Sequence, residues 1–240
     1  MSQNQLQKLG KRLKESVSAT DLRLLDEYRR SFRAASEALA ETVYACTGFA
    51  ASQRPAKSTQ AILEKLRRQT THLGQIQDIA GCRITVPDVS AQAKAVRALQ
   101  DRFPEGVIKD RRVVPSHGYR AVHLVVKHEG CRIEIQVRTA LQNQWALLSE
   151  RMADWYGNAI KYGGGPESIQ ELLQDASHSV AEVERFESEL ARELYEIPSE
   201  VVVNSPPERQ SSARAEERLI RARQRLSDLL LSIPDRLDHP

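Results

Sequence analysis

The chain reads as an α+β protein: a mixed, mostly antiparallel β-sheet of about five strands flanked by helices. Two observations carry that reading. Short β-rich runs at Gly81–Val86, 106–114, 119–127 and 131–137 occupy only the middle of the sequence, while apolar residues spaced by three and four dominate both ends. The first two runs enclose one helical stretch and the later ones follow without a helix. That order fits neither an all-parallel doubly wound sheet nor a β-sandwich.

Leu25, Tyr28, Phe32, Ala35, Leu39 and Val43 predict one helix over 20–46, closed by Thr47, Gly48 and Pro55. A second is predicted over 58–68, with Ile62, Leu63 and Leu66 inward and Glu64, Arg67 and Arg68 outward. Ala93, Val96, Ala98 and Leu99 mark a helix over 90–103, and His128, Glu129 and Gly130 join the last two β runs as a hairpin. After Thr139, Leu141, Trp145, Leu148, Met152 and Trp155 predict a helix that Gly163, Gly164, Gly165 and Pro166 stop. A long helix over 166–195 follows, then a Pro- and Ser-rich linker over 197–208. An Arg-rich amphipathic helix over 208–233, with Leu219, Leu226, Leu229 and Leu230, comes last. The chain thus divides into a body over 1–196 and a linker with a terminal helix over 197–240.

No apolar run approaches the roughly 20 residues of a membrane helix. The opening residues also lack the apolar stretch of a secretory signal, so a cytosolic protein without a membrane partner is expected. Cys46, Cys82 and Cys131 are odd in number, widely spaced and set among apolar residues. They predict buried, reduced thiols and argue against a disulfide frame or a zinc site. The formal charge of +3 is too mild to announce a nucleic-acid binder. The terminal Arg-rich helix reads as docked on the body, docked on a second subunit, or contacting nucleic acid.

Along 131–138, Ile133, Ile135 and Val137 point to one face and Arg132, Glu134, Gln136 and Arg138 to the other. Solvent exposure produces such a polar face. A carboxylate, an amide and two guanidiniums in a row are also what a nucleoside triphosphate with a metal requires. Asp78, just before the run Gly81–Val86, can complete such a site, because Mg²⁺ is held by one or two carboxylates together with phosphates. Further cations stand at Arg54, Lys57, Lys65 and Arg83, with Lys57 and Lys65 a little over two helical turns apart. Gly118 permits a tight turn that presents Tyr119 as a flat surface for a purine, or as a core residue opening a strand.

Together these segments resemble the synthetase domain of the RelA/SpoT family, the enzymes that make ppGpp and pppGpp. The blocks are residues 57–66 (KSTQAILEKL), 78–84 (DIAGCRI), 118–123 (GYRAVH) and 134–139 (EIQVRT), followed by Trp145 and Ala146. They stand in the family's order and span about residues 50–160. The resemblance implies a nucleotidyltransferase-like fold and a pyrophosphokinase that moves the β,γ-diphosphate of ATP to a ribose 3′-hydroxyl of GDP or GTP, releasing AMP. It places Mg²⁺ at Asp78 and Glu134, with Glu134 also drawing the hydroxyl proton. Arg83 and Arg54 would stack on adenine, and Lys57, Ser58 and Lys65 would meet the ATP phosphates. Tyr119 would stack on the acceptor base, with His123, Gln136, Arg138 and Asn143 nearby.

Departures fall on both sides. Pro55, Ala56 and Lys57 stand where the family motif reads Arg, any residue, Lys, so Arg54 is displaced by one, and Ala61 replaces a frequent Ser. On the acceptor side Pro115 replaces a Lys, His117 directly precedes the glycine, and Arg151 stands where a His is common. These changes keep two alternatives open. One is the toxic branch of the family, acting on an adenine nucleotide or the 3′-CCA end of tRNA, with an antitoxin as partner. The other is an inactive nucleotide-sensing module. None of the six histidines is followed by Asp, so the family's His-Asp hydrolase motif is missing and a single-domain small synthetase is implied. The two long terminal helices suit a homo-oligomer built helix on helix.

Overall fold

Five strands form one sheet in the order β1 (Ser52–Arg54), β2 (Gly81–Val86), β5 (Cys131–Thr139), β4 (Val122–His128), β3 (Val107–Asp110). They are seen in a computed structural model that describes residues 1–54, 56–68, 72–195 and 206–231. The sheet is mixed and mostly antiparallel, with antiparallel ladders joining β1 to β2, β3 to β4 and β4 to β5. The α+β reading therefore holds. The chain forms two units: Met1–Thr85, Lys94–Asp110 and Val122–Val137 in the first, and Val86–Ala93, Arg111–Ala121 and Arg138–Pro240 in the second.

In the first unit the predicted helix over 20–46 is two helices, α2 (Ala19–Arg30) and α3 (Arg33–Thr47). The Ser31 hydroxyl donates to the Tyr28 carbonyl at 2.7 Å and so competes with the helical ladder. Phe32 then caps α3 with its ring edge-on to Tyr28, centroids 5.1 Å apart. The break spans only two residues, so the apolar spacing runs through it unchanged. The start of the chain forms a further helix, α1 (Gln3–Glu15), which buries Leu6, Leu9 and Leu13 against α2 and α4 (Thr59–Arg68). β1 was also not anticipated, since three polar residues carry no apolar alternation.

The helix α5 (Val89–Arg102) matches its prediction closely. β3 stops at Asp110 rather than 114 because its partner β4 begins only at Val122, directly opposite Asp110. Beyond it Val113 and Val114 are 79% and 66% exposed, strand-forming residues with no ladder to join. For the same reason the run 119–127 enters the sheet at Val122. The β4–β5 hairpin closes through Glu129 and Gly130, both at positive φ (47° and 77°), as a two-residue turn of the primed type requires.

The second unit is helical: α6 (Ala140–Tyr156), a 3₁₀ turn over Asn158–Tyr162, α7 (Glu167–Tyr195) and α8 (Pro206–Leu231). Trp145, Leu148, Met152, Leu172, Leu173, Val180, Leu219 and Leu226 share one core, with α8 lying along α7. Trp155 is 62% exposed rather than inward, because Tyr156, four residues after Met152, takes the next core-facing place. Leu230 is likewise exposed, whereas Leu229 packs on the core. Residues 196–205 and 232–240, which include most of the predicted linker, lie outside the described residues. The three cysteines are free, but only Cys82 is buried; Cys46 and Cys131 are half-buried at the ends of their elements. Burial pushes the Cys82 thiol up to about 12, which keeps it inert.

Candidate active site

In the first unit the loop ahead of α4 and the last turn of that helix bring Lys57 and Lys65 onto one carboxylate. Lys57 Nζ lies 2.9 Å from Asp78 Oδ2 and Lys65 Nζ 2.8 Å from Asp78 Oδ1. Lys57 reaches it because its backbone N–H donates to the Ile79 carbonyl at 2.7 Å, tying the loop to the approach of β2. It therefore precedes the helix rather than riding on it. Ser58 caps α4, its hydroxyl accepting the Ala61 N–H at 3.2 Å. Burial opposes ionisation of Asp78, yet the two ammonium groups outweigh it and hold the carboxyl at about 2.

Glu134 stands on the central strand β5, beside the approach to β2, with its N–H on the Ala80 carbonyl at 3.4 Å, two residues after Asp78. A Cβ at Gly81 would lie 2.5 Å from the Glu134 carbonyl oxygen, so only glycine lets the two backbones come this close. Glu134 is 8% exposed and Gln136 4% exposed. Both carboxylate oxygens of Glu134 have partners: His123 Nδ1 at 2.9 Å and the Gln136 amide, donating at 2.8 Å. His123 lies opposite Gln136 in the β4–β5 register. Arg138, on the same strand face, is 4% exposed; of the predicted polar row only Arg132 is exposed. Solvation does not explain this face.

Arg83 lies on β2, half-buried, opposite Ser52 of β1. Arg54 pairs with Gly81, but its side chain lies outside the described residues, as does Pro55.

In the second unit His117 and Gly118, at φ 50° and 83°, form a turn closed by mutual backbone bonds between Ser116 and Tyr119. The turn sets the Tyr119 ring 6.2 Å from Trp145, partly buried against the core of that unit. Arg138 donates to the Tyr119 hydroxyl at 3.1 Å and to Asn143 Oδ1 at 3.3 Å. Tyr119, Arg138 and Asn143 thus form one cluster. Sequence reasoning missed two buried polar residues of the same unit, Ser177, which accepts from Arg120, and Glu184, which accepts from Thr139 and Gln142. Burial pushes the Glu184 carboxyl above the usual carboxylate range, against the lowering by its bonds to Thr139 and Gln142.

The donor set of the first unit suits a hard cation. It offers two carboxylates, Asp78 and Glu134, whose oxygens are the hard donors that Mg²⁺ takes. Among the described residues no group of three or more His, Cys, Asp or Glu gathers.

Comparison with known proteins bears on the family. Residues 54–156 match the model of the region found in RelA/SpoT proteins. An uncharacterised protein of Mycobacterium tuberculosis is 41% identical over 142 residues, 52% of either chain, so the match spans about half the length of that relative. The GTP pyrophosphokinase YjbM of Bacillus subtilis is 32% identical over 158 residues, 58% of this chain and 71% of that protein. The chain belongs to the RelA/SpoT family. The crystal structure of small alarmone synthetase 1 from Bacillus subtilis is 26% identical and superposes with a TM-score of 0.60, covering 71% of this chain and 99% of that one. The same enzyme has been crystallised with its product pppGpp. Within the family segment lie Lys57, Lys65, Asp78, Glu134 and Tyr119; Ser177 and Glu184 lie beyond it.

Proposed function

We propose that the chain is an ATP-dependent pyrophosphokinase that transfers the β,γ-diphosphate of ATP to the 3′-hydroxyl of GDP or GTP. The observation that carries this reading is the burial of Glu134 and Gln136 on the polar face of β5, beside an Asp78 neutralised by two lysines. Burying a carboxylate carries a desolvation penalty that its partners need not repay in full, and such groups gather where their charge is used in chemistry. The GTP pyrophosphokinase relative and the structure of a relative with pppGpp support the same assignment.

The acceptor's 3′-oxygen bonds to the β-phosphorus as the bond from that phosphorus to the α,β-bridging oxygen breaks. AMP leaves with the electron pair, and the hydroxyl proton passes to the Glu134 carboxylate. Lys57 and Lys65 exchange Asp78 for the donor's phosphate oxygens, and Arg83 lies under the adenine. Tyr119 offers its face to the acceptor base, with Arg138 and Asn143 at the acceptor's polar groups. Asp78 and Glu134 would hold Mg²⁺, which supplies charge neutralisation to the triphosphate. Such transfer depends on positioning and charge and needs no covalent nucleophile.

The test is transfer of label from β,γ-labelled ATP to GDP, GTP, ADP, ATP or bulk tRNA, offered separately. Label on GDP or GTP is expected. Label on tRNA or an adenine nucleotide alone would assign the toxic-branch reaction, and no transfer to any acceptor would leave a sensing module.

A further inference from the structure

The helix α7 lies outside the family segment, yet one stripe of it reaches the residues that flank the acceptor-side cluster. Leu173, Ser177, Val180 and Glu184 recur at spacings of four, three and four, a single helical face. All four are buried, the polar pair included: Ser177 is 2% and Glu184 7% exposed. Three of the four take part in a specific bond. Trp145 Nε1 donates to the Leu173 carbonyl at 2.7 Å. Arg120 Nε donates to the Ser177 hydroxyl at 3.1 Å. The Thr139 hydroxyl donates to Glu184 Oε1 at 2.5 Å, and the Gln142 side-chain amide spans Oε1 and Oε2 at 3.0 and 3.1 Å.

The partners' places in the sequence give these bonds their meaning. Thr139 follows Arg138, Gln142 precedes Asn143, and Arg120 follows Tyr119. Thr139 and Gln142 also form the capping box that starts α6: the Thr139 hydroxyl accepts the Gln142 N–H at 3.1 Å and Gln142 Oε1 accepts the Thr139 N–H at 3.3 Å. The Gln142 oxygen also accepts from Gln92 at 2.8 Å. With that oxygen engaged and its amide on Glu184, the carboxylate fixes which way Gln142 faces. A capping box needs no such third member, so the buried acid does more than initiate the helix.

We propose that Glu184 is a positioning residue for the acceptor. Acting through Thr139 and Gln142, it sets the start of α6 and so the placement of Arg138 and Asn143 against Tyr119, without touching the nucleotide. The proposal rests on the diphosphate-transfer reading for its substrate, and its structural half stands apart from activity.

The test uses the full chain with Glu184→Gln, which keeps the volume but turns an NH₂ toward the Gln142 amide, and Thr139→Val as a second variant. Losing a bond to a charged group is expected to raise the KM of the acceptor about ten-fold, with the KM of ATP changed less than about two-fold. Amide exchange over residues 140–143 is expected to quicken about ten-fold in both variants, with residues 131–137 unaffected. Equal rises in both KM values, or unaltered exchange at 140–143, would overturn the proposal. A wild-type chain that transfers no diphosphate would refute the functional reading instead, while the exchange measurement still decides the positioning role.

Discussion

Asp78 is where charge and geometry meet most directly. Its carboxyl, opposed by burial but held at about 2 by Lys57 and Lys65, stabilises the fold only while ionised. That contribution, about 2 kcal/mol, is complete above roughly pH 5, about half lost by pH 3 and gone once both states are protonated. Asp78→Asn lacks it, so the gap between wild-type and variant urea midpoints should narrow from pH 7 to pH 3; a constant gap would show that the lysines do not hold the acid. For activity, Asp78→Asn and Glu134→Gln are each expected to lower kcat about a thousand-fold or more with the fold kept. Near-normal turnover in either would remove that residue from the chemistry. Tyr119→Ala should raise the acceptor KM several-fold and leave that of ATP nearly unchanged, because a lost stacking face costs about 1 kcal/mol.

Among the elements, the close approach of β2 to β5 at Glu134 rests on Gly81. Gly81→Ala would drive a Cβ into the Glu134 carbonyl at 2.5 Å, backbone against backbone with no flexible end to yield. A loss of about 3 kcal/mol in urea unfolding is expected, the upper range for overpacking. Gly130→Ala, with φ 77° but nothing within 4 Å of the added carbon, should cost only about 1 kcal/mol of backbone strain. Equal losses would mean that contact at Gly81 is not what the glycine relieves. The same contrast separates what could be read in advance from what could not. The Glu129–Gly130 turn shows in the sequence because its neighbours alternate. The demand on Gly81 does not, because the carbonyl that excludes a side chain comes from a strand some fifty residues on. The break at Ser31 was hidden for a different reason: a hydroxyl bond to the chain's own backbone leaves the apolar period intact.

For the molecule as a whole, α8 joins α7 in the second unit's core through Leu219, Ala222 and Leu226. Leu226→Asp should undock α8, lower the thermal midpoint and open residues 206–231 to limited proteolysis, since a buried charge without a partner is expelled. Unchanged protection would place the helix's hold elsewhere. The surface ion pairs Arg223–Glu187 and Arg225–Glu182, both exposed on the arginine side, add little to that hold. The amino-acid sequence by itself determined the α+β class and the bounds of β2, α5, α7 and α8 to within a few residues, because periodicity and short motifs are local. Only the tertiary structure decided that the polar face of β5 is buried, that both lysines converge on Asp78, and that Glu184 of α7 meets Thr139 and Gln142. Burial and hydrogen-bond partnership depend on which distant segments meet, and no local pattern encodes that.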